Sequence, residues 1–378
     1  DASERFGRDI KFYKNKLYVS VPDADEPKIA ILSGENFDTN NSNLISPVSK
    51  ENGFGNSIDI NDYFVAVGCP LNDNNKGNVY IYDRNEGFNG QVNHDYILSS
   101  SISEDNDFFG SSVVLKDNLL LVGCPGYNNS RGAVYVFERQ IDGTWEESCR
   151  FFASDGESGD QFGASLSIDG DYISVGAPYA DLDNDNLNSG SVYIFKYLDT
   201  SNKWFQVKKI NGVNESDFSG NHFGYSVSLK GDYLAVGSPN SEGEGVVDIF
   251  YKKRNWGHLK KTTSSLTSDE SFGESVSICH PYLFIGSPEY SSSPYSDQGR
   301  IFIYKDPFVN FRIAQEFDVN GEYLPSKVSL NLKKSGKNFT LNYSMNLRIA
   351  GFISIMCCFA ISSYNLYMIM TVNKIPVP

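Results

Sequence analysis

The chain has 378 residues with 32 basic and 47 acidic groups, a formal net charge of −15. So acidic a surface repels phosphate backbones, which excludes nucleic-acid binding as a main function. The four His residues are scattered without an i,i+4 pair, and no C-x-x-C, H-E-x-x-H, P-loop or G-x-S-x-G motif occurs, so zinc, redox, nucleotide and serine-hydrolase chemistry lack a motif.

Taken in chain order, one phrase returns six times. A Phe-Gly pair stands at Phe6-Gly7, Phe54-Gly55, Phe109-Gly110, Phe162-Gly163, Phe223-Gly224 and Phe272-Gly273, at spacings of 48, 55, 53, 61 and 49 residues. A Gly-x-Pro corner follows at Gly68-Cys69-Pro70, Gly123-Cys124-Pro125, Gly176-Ala177-Pro178, Gly237-Ser238-Pro239 and Gly286-Ser287-Pro288. The first copy departs, with Val19-Ser20-Val21-Pro22 at that place. A third Gly then opens a β-rich run: Gly77, Gly132, Gly190, Gly245 and Gly299. The fourth copy shows the unit. FGASLSI alternates as a strand, Asp169-Gly170 turns, DYISVGAP is a second strand ended by Pro178, SVYIF a third and Trp204 to Ile210 a fourth. Four short antiparallel strands in about fifty residues make one propeller blade. In each Phe-Gly the Phe is expected to wedge between blades, and the Gly to allow a positive φ or a close approach of neighbouring blades.

The phrases FGASLSIDGDYISVGAP and FGYSVSLKGDYLAVGSP resemble the FG-GAP repeats of the integrin α-subunit head and of many secreted or surface propellers. The resemblance covers residues 1–317. It implies an all-β fold, a β-propeller of FG-GAP repeats with six or seven blades. A seventh blade is expected either from an upstream segment removed before Asp1 or from strands in 318–345.

Residues 318–378 hold six basic and two acidic groups, which leaves 26 basic and 45 acidic in residues 1–317, a net charge of −19. Residues 318–348 read as a connector, with KVSLNL and KNFTLNYS able to pair as a hairpin around Lys334-Ser335-Gly336. Ile349 to Val372 carry no formal charge over 24 residues, long enough for a transmembrane helix, with a short tail at 373–378. The four basic groups before this segment favour a cytosolic, tail-anchored propeller. A cleaved signal peptide would export the large domain regardless, and the resemblance implies an extracellular or lumenal propeller. A lipid anchor at Ser335-Gly336 is a third possibility.

Sequons stand at Asn40, Asn128, Asn214, Asn338 and Asn342. The six cysteines form no framework: Cys69 and Cys124 occupy equivalent corners of successive repeats, where they replace Ala as small buried residues. In the loop ADLDNDNLNSG, Asp181, Asp183 and Asp185 alternate as the carboxylates of a calcium loop do, although no Glu falls at the twelfth position. The family's calcium loops join the first and second strands of a blade. Here those connections, at Asp169-Gly170-Asp171 and Lys230-Gly231-Asp232, are tight hairpins. The loops at 71–76, 126–131, 179–189, 240–244 and 289–298 all join second and third strands and should share one face. Among them 289–298, with Tyr290, Tyr295 and Asp297, has the aromatic and small polar character of a binding loop.

These features point to a membrane-anchored, non-enzymatic propeller that binds a protein or glycan partner, with calcium as a candidate cofactor. The alternatives are a structural subunit of a membrane complex and a hydrolase with its site in the central channel.

Overall fold

The computed structural model describes residues 8–288 except 15, 23–26, 34–42, 46–51, 85–95, 183–187, 202, 213–219, 244 and 265–270. Beyond 288 it describes the strands at 300–305, 312–318, 328–334, 337–343, 356–357 and 366–371. Among these residues six blades follow one another along the chain, each with four antiparallel strands in sequence order. Their innermost strands are Ile10–Tyr13, Ser57–Ile60, Ser112–Lys116, Ser165–Asp169, Ser226–Lys230 and Ser275–Cys279. The outermost strands of blades three, four and five are Trp145–Phe151, Lys203–Asn211 and Gly257–Thr263.

Burial follows this radial order. The second strands, such as Phe64–Cys69, Leu119–Cys124 and Tyr172–Ala177, are buried almost throughout, because neighbouring blades cover both their faces. The outermost strand of blade four instead alternates between exposed and half-buried positions over most of its length, as a rim strand must. In blades three to six the pairing of third and fourth strands slips by one residue, at Val136/Phe137, Ile194/Phe195, Ile249/Phe250 and Ile303/Tyr304. A bulge at a repeated position twists each rim edge away from flat pairing with another chain. The blade-four turn sits one residue later than expected, at Gly170-Asp171, because Asp169 pairs with Tyr172; in blade five Lys230 pairs with Tyr233 around Gly231-Asp232.

The repeated phrase is the joint between blades. Phe54, Phe109, Phe162, Phe223 and Phe272 are fully or almost fully buried, each within a cluster drawn from two adjacent blades. Phe109 meets Tyr135 edge-on at 5.4 Å, and Phe162 meets Tyr193 likewise at 5.4 Å. Burying each Phe contributes about 1.5–3 kcal/mol. The glycines let the backbones touch. A Cβ on Gly123 would lie 2.0 Å from the carbonyl oxygen of Gly163 in the next blade, and one on Gly132 would lie 2.1 Å from that of Phe162. Ser112 Oγ donates to the same Gly163 carbonyl at 2.8 Å. The pattern repeats with Ser57 and Gly110, Ser165 and Gly224, and Ser226 and Gly273. In blade one, where Ser20 replaces the corner Gly, the roles exchange: Ser20 Oγ accepts the N–H of Asp9 at 2.8 Å.

The C-terminal part differs from expectation. Val328–Lys334 and Lys337–Tyr343 pair as an antiparallel hairpin, and Leu366–Thr371 adds to the free edge of Val328–Lys334. Met356–Cys357 pairs in parallel with Lys11 and Phe12 of blade one. Within 349–372, where a transmembrane helix is expected, the described residues are thus strands, and the others lie outside the described residues. Among the described residues no helix is long and apolar enough to cross a membrane. The segment holds five Ile, two Phe and two Tyr, and an apolar run of such residues does not by itself distinguish helix from strand. No seventh four-stranded blade occurs among the described residues.

Candidate functional site

The six innermost strands enclose a central channel whose cavity has a volume of about 690 Å³. Each innermost strand is a sheet edge, with backbone N–H groups that need partners. Side chains of the preceding blade supply them. Asp59 Oδ2 accepts the N–H of Leu115 at 2.7 Å, Ser167 Oγ that of Leu229 at 3.0 Å, and Ser228 Oγ that of Ile278 at 2.9 Å. Asp9 accepts from Ile58 through Oδ2 at 2.7 Å and from its neighbour Ile10 through Oδ1 at 2.8 Å. Burial raises the pKa of Asp9, while the nearby Lys11 opposes the shift. Lys11 Nζ lies 3.6 Å from Asp59 Oδ1. The wall carboxylates Asp9 and Asp59 are therefore engaged by backbone N–H groups and by Lys11.

The position after each Phe-Gly lines the channel, joined in blades three and four by the position before it, Phe108 and Gln161. The residue after the pair is Arg8, Asn56, Ser111, Ala164, Tyr225 or Glu274, and all six line the cavity. Arg8 Nε donates to Asn56 Oδ1 at 3.4 Å, and Asn56 Nδ2 donates to the carbonyl of Ser111 at 3.2 Å, so a polar belt crosses three blades. The residue before the pair is left-handed in five blades: Gly53, Phe108, Gln161, His222 and Ser271, with φ between 50° and 78°. For Phe108, Gln161 and His222 this backbone costs about 1–2 kcal/mol each. It is held by the loop between the second and third strands of the preceding blade. The N–H of Phe108 donates to Asn75 O at 2.7 Å, that of Gln161 to Ser130 O at 2.8 Å, and that of His222 to Asn188 O at 3.2 Å.

Those second-to-third-strand loops therefore brace the blades as well as share one face. In two of them, three residues in a row are left-handed: Asp73 to Asn75, and Asn128 to Ser130. Asn and Asp tolerate that region, which accounts for the sequences NDNNKG and YNNSRG. Between blades four and five the rings of Tyr179 and His222 lie 4.5 Å apart, and His222 Nδ1 is 2.9 Å from Asn240 Nδ2. Burial holds the imidazole below its ordinary pKa, so it is neutral at pH 7. Behind the mouth, Asp107 Oδ2 accepts the N–H of Glu104 at 2.9 Å and Asp160 Oδ2 that of Glu157 at 2.8 Å. Burial raises the pKa of both carboxyls.

Of the residues singled out from sequence, Asp181 is exposed and its Oδ1 accepts the N–H of Asn188 at 2.7 Å, closing its loop. Asp183 and Asp185 lie outside the described residues, and among the described residues no group of three His, Cys, Asp or Glu is arranged to hold a metal. Tyr290, Tyr295 and Asp297 also lie outside them, as do Asn40 and Asn214. Asn128 is exposed. Cys69, Cys124, Cys149 and Cys279 are free thiols, the first two buried. The flanking positions of the mouth are hard to single out in the sequence, because each is a different residue type. Their fixed distance from an unvarying pair is the signal that marks them.

Residues 97–137 and 145–195 match the family model described as FG-GAP repeat. No curated protein matches the chain. Among solved structures the chain is similar to the WD40 domain of coronin from Toxoplasma gondii. The TM-score is 0.55 at 10% identity, over 90% of this chain and 82% of that one. It is also similar to a Bacteroides uniformis protein described as a candidate 6-phosphogluconolactonase. There the TM-score is 0.54 at 12% identity, over 81% of this chain and 83% of that one. At such identities the likeness is one of fold alone. The family model matches within the repeats, and the Phe-Gly and Gly-x-Pro joint recurs between successive blades from two to six, which together support an FG-GAP β-propeller.

Proposed function

We propose that this chain is a non-enzymatic recognition propeller held at a membrane surface, binding a protein or glycan partner at the channel mouth. One observation carries the reading. The positions that join the blades recur from repeat to repeat, while the position after each Phe-Gly is a different residue in every blade and all six of these line one cavity. The volume of about 690 Å³ suits a small ligand or a side chain or sugar of a larger one. The mouth offers a cation, an anion, amides, hydroxyls and aromatic rings, a set suited to recognition. Asp9 and Asp59 in the wall serve backbone N–H groups, which supports binding over hydrolysis. Membrane attachment rests on the 24 uncharged residues from Ile349 to Val372, which in a bilayer are long enough to cross it as a helix. Asp181, Asp183 and Asp185, in the loop after Tyr179, are the candidate calcium ligands of this reading.

The test is binding of the full chain in nanodiscs to glycan and cell-surface panels. Any ligand found is then measured against Gln161→Ala, Tyr179→Ala and Tyr225→Ala. Loss of binding in these variants, with rim variants unchanged, supports the mouth. Turnover of a panel glycan, abolished by Asp59→Asn, would replace this reading with the hydrolase one.

A further inference from the structure

We propose that the rim of blades four and five is a docking surface for an anionic lipid bilayer. The inference rests on the membrane-surface part of the function proposed above. The outermost strand Lys203–Asn211 and the turn and strand at 252–263 hold eight basic residues and no acidic one in 21 residues. The propeller around them is strongly acidic, since residues 1–317 carry 26 basic groups against 45 acidic. Some of this charge is answered locally: Lys209 pairs with Asp155 at 2.8 Å, and Lys252 and Lys253 with Asp232 at 3.2 and 2.9 Å. Lys203 and Lys208 form no ion pair among the described residues, and the acids nearest to them in sequence are Asp199 and Glu215 respectively.

The same rim exposes large apolar side chains. Leu198, Phe205 and Val207 are 36%, 42% and 46% exposed. Leu198 pairs directly with Lys203, and Val207 is the extra residue of the blade-four bulge. Lysines flanking exposed Leu, Phe and Val match the headgroup boundary of a bilayer, where cations meet anionic lipid and apolar side chains enter the acyl region. A polynucleotide would find the cations, but it would have no use for the apolar side chains and would meet the repulsion of the remaining surface. Docked by this rim, the propeller would leave the channel mouth free for a partner.

The full chain is reconstituted with vesicles of neutral phosphatidylcholine or of phosphatidylcholine with phosphatidylserine. Acylation of each lysine by a membrane-impermeant reagent is then followed by mass spectrometry. We expect Lys203, Lys208 and Lys253 to be protected on the anionic vesicles only, Lys76 of blade two to react equally on both, and protection to vanish near 1 M salt. Lys203→Gln with Lys208→Gln lowers the charge-dependent partitioning about 25-fold, at about fivefold for each lysine. Phe205→Ser with Val207→Ser lowers it at constant charge. Equal acylation on the two vesicle types overturns the proposal, as does protection by RNA at matched ionic strength that exceeds protection by lipid. Insertion into both vesicle types without charge-dependent protection contradicts this surface and keeps the anchor. Release of all protein from anionic vesicles by salt supports this surface and contradicts the anchor.

Discussion

Adding one methyl group at Gly123 tests the joint between blades directly. Its φ is not in the left-handed region, so alanine suits the backbone, and the whole cost of Gly123→Ala comes from contact. The new Cβ would lie 2.0 Å from the carbonyl oxygen of Gly163 and 2.2 Å from Ser112 Oγ. Relief needs blades three and four to part by about 1 Å. Such overpacking costs about 1–3 kcal/mol, and breaking the Ser112–Gly163 hydrogen bond costs about 1 kcal/mol more. The expected loss is about 3 kcal/mol. Gly170→Ala is the control: φ is +57° there and nothing lies within 4 Å of a Cβ, so only the left-handed cost of about 1 kcal/mol applies. Urea unfolding of both variants gives the comparison. If Gly123→Ala costs no more than Gly170→Ala, the close approach does not hold the blades together.

Asp59→Ala leaves the Leu115 N–H without its partner in the channel wall and should lower stability by about 1–3 kcal/mol in urea unfolding. Asp59→Asn keeps an acceptor and should cost less. Burial raises the pKa of Asp107 and Asp160 above 3.8, so the native chain holds these protons more tightly than the unfolded chain. Their contribution to stability is therefore largest at low pH and falls as pH rises through their raised values. Asp107→Asn with Asp160→Asn, which keeps the acceptors for Glu104 and Glu157, should flatten the fall in stability as pH rises above the ordinary carboxylate range in thermal unfolding. Deleting Val207 removes the bulge and turns the strand residues before it to the opposite face, so light scattering should show aggregation that the parent chain does not.

The blades were legible because their cause is local. Alternation in FGASLSI and turn residues such as Gly170 and Gly231 fix the strands, and the period brings equivalent residues to equivalent places. The joints were legible in outline, since Phe-Gly and Gly-x-Pro recur, but the partner of each joint glycine is a carbonyl 27 to 48 residues away that no pattern names. The mouth was less legible. Gln161 and His222 look like loop residues until the carbonyls of Ser130 and Asn188 are seen to hold them left-handed. The apolar run at 349–372 was the least legible, because its composition suits strand as well as helix.

Topology tests the account most directly. The full chain, tagged and expressed in its own cells, is probed for protease access and for endoglycosidase-sensitive mass, with Asn128 the exposed sequon among the described residues. The account predicts a propeller on the outer or lumenal side of a membrane, with glycan on Asn128 that is lost in Asn128→Gln. A propeller in the cytosol, digested once the plasma membrane alone is opened and carrying no glycan, would contradict it.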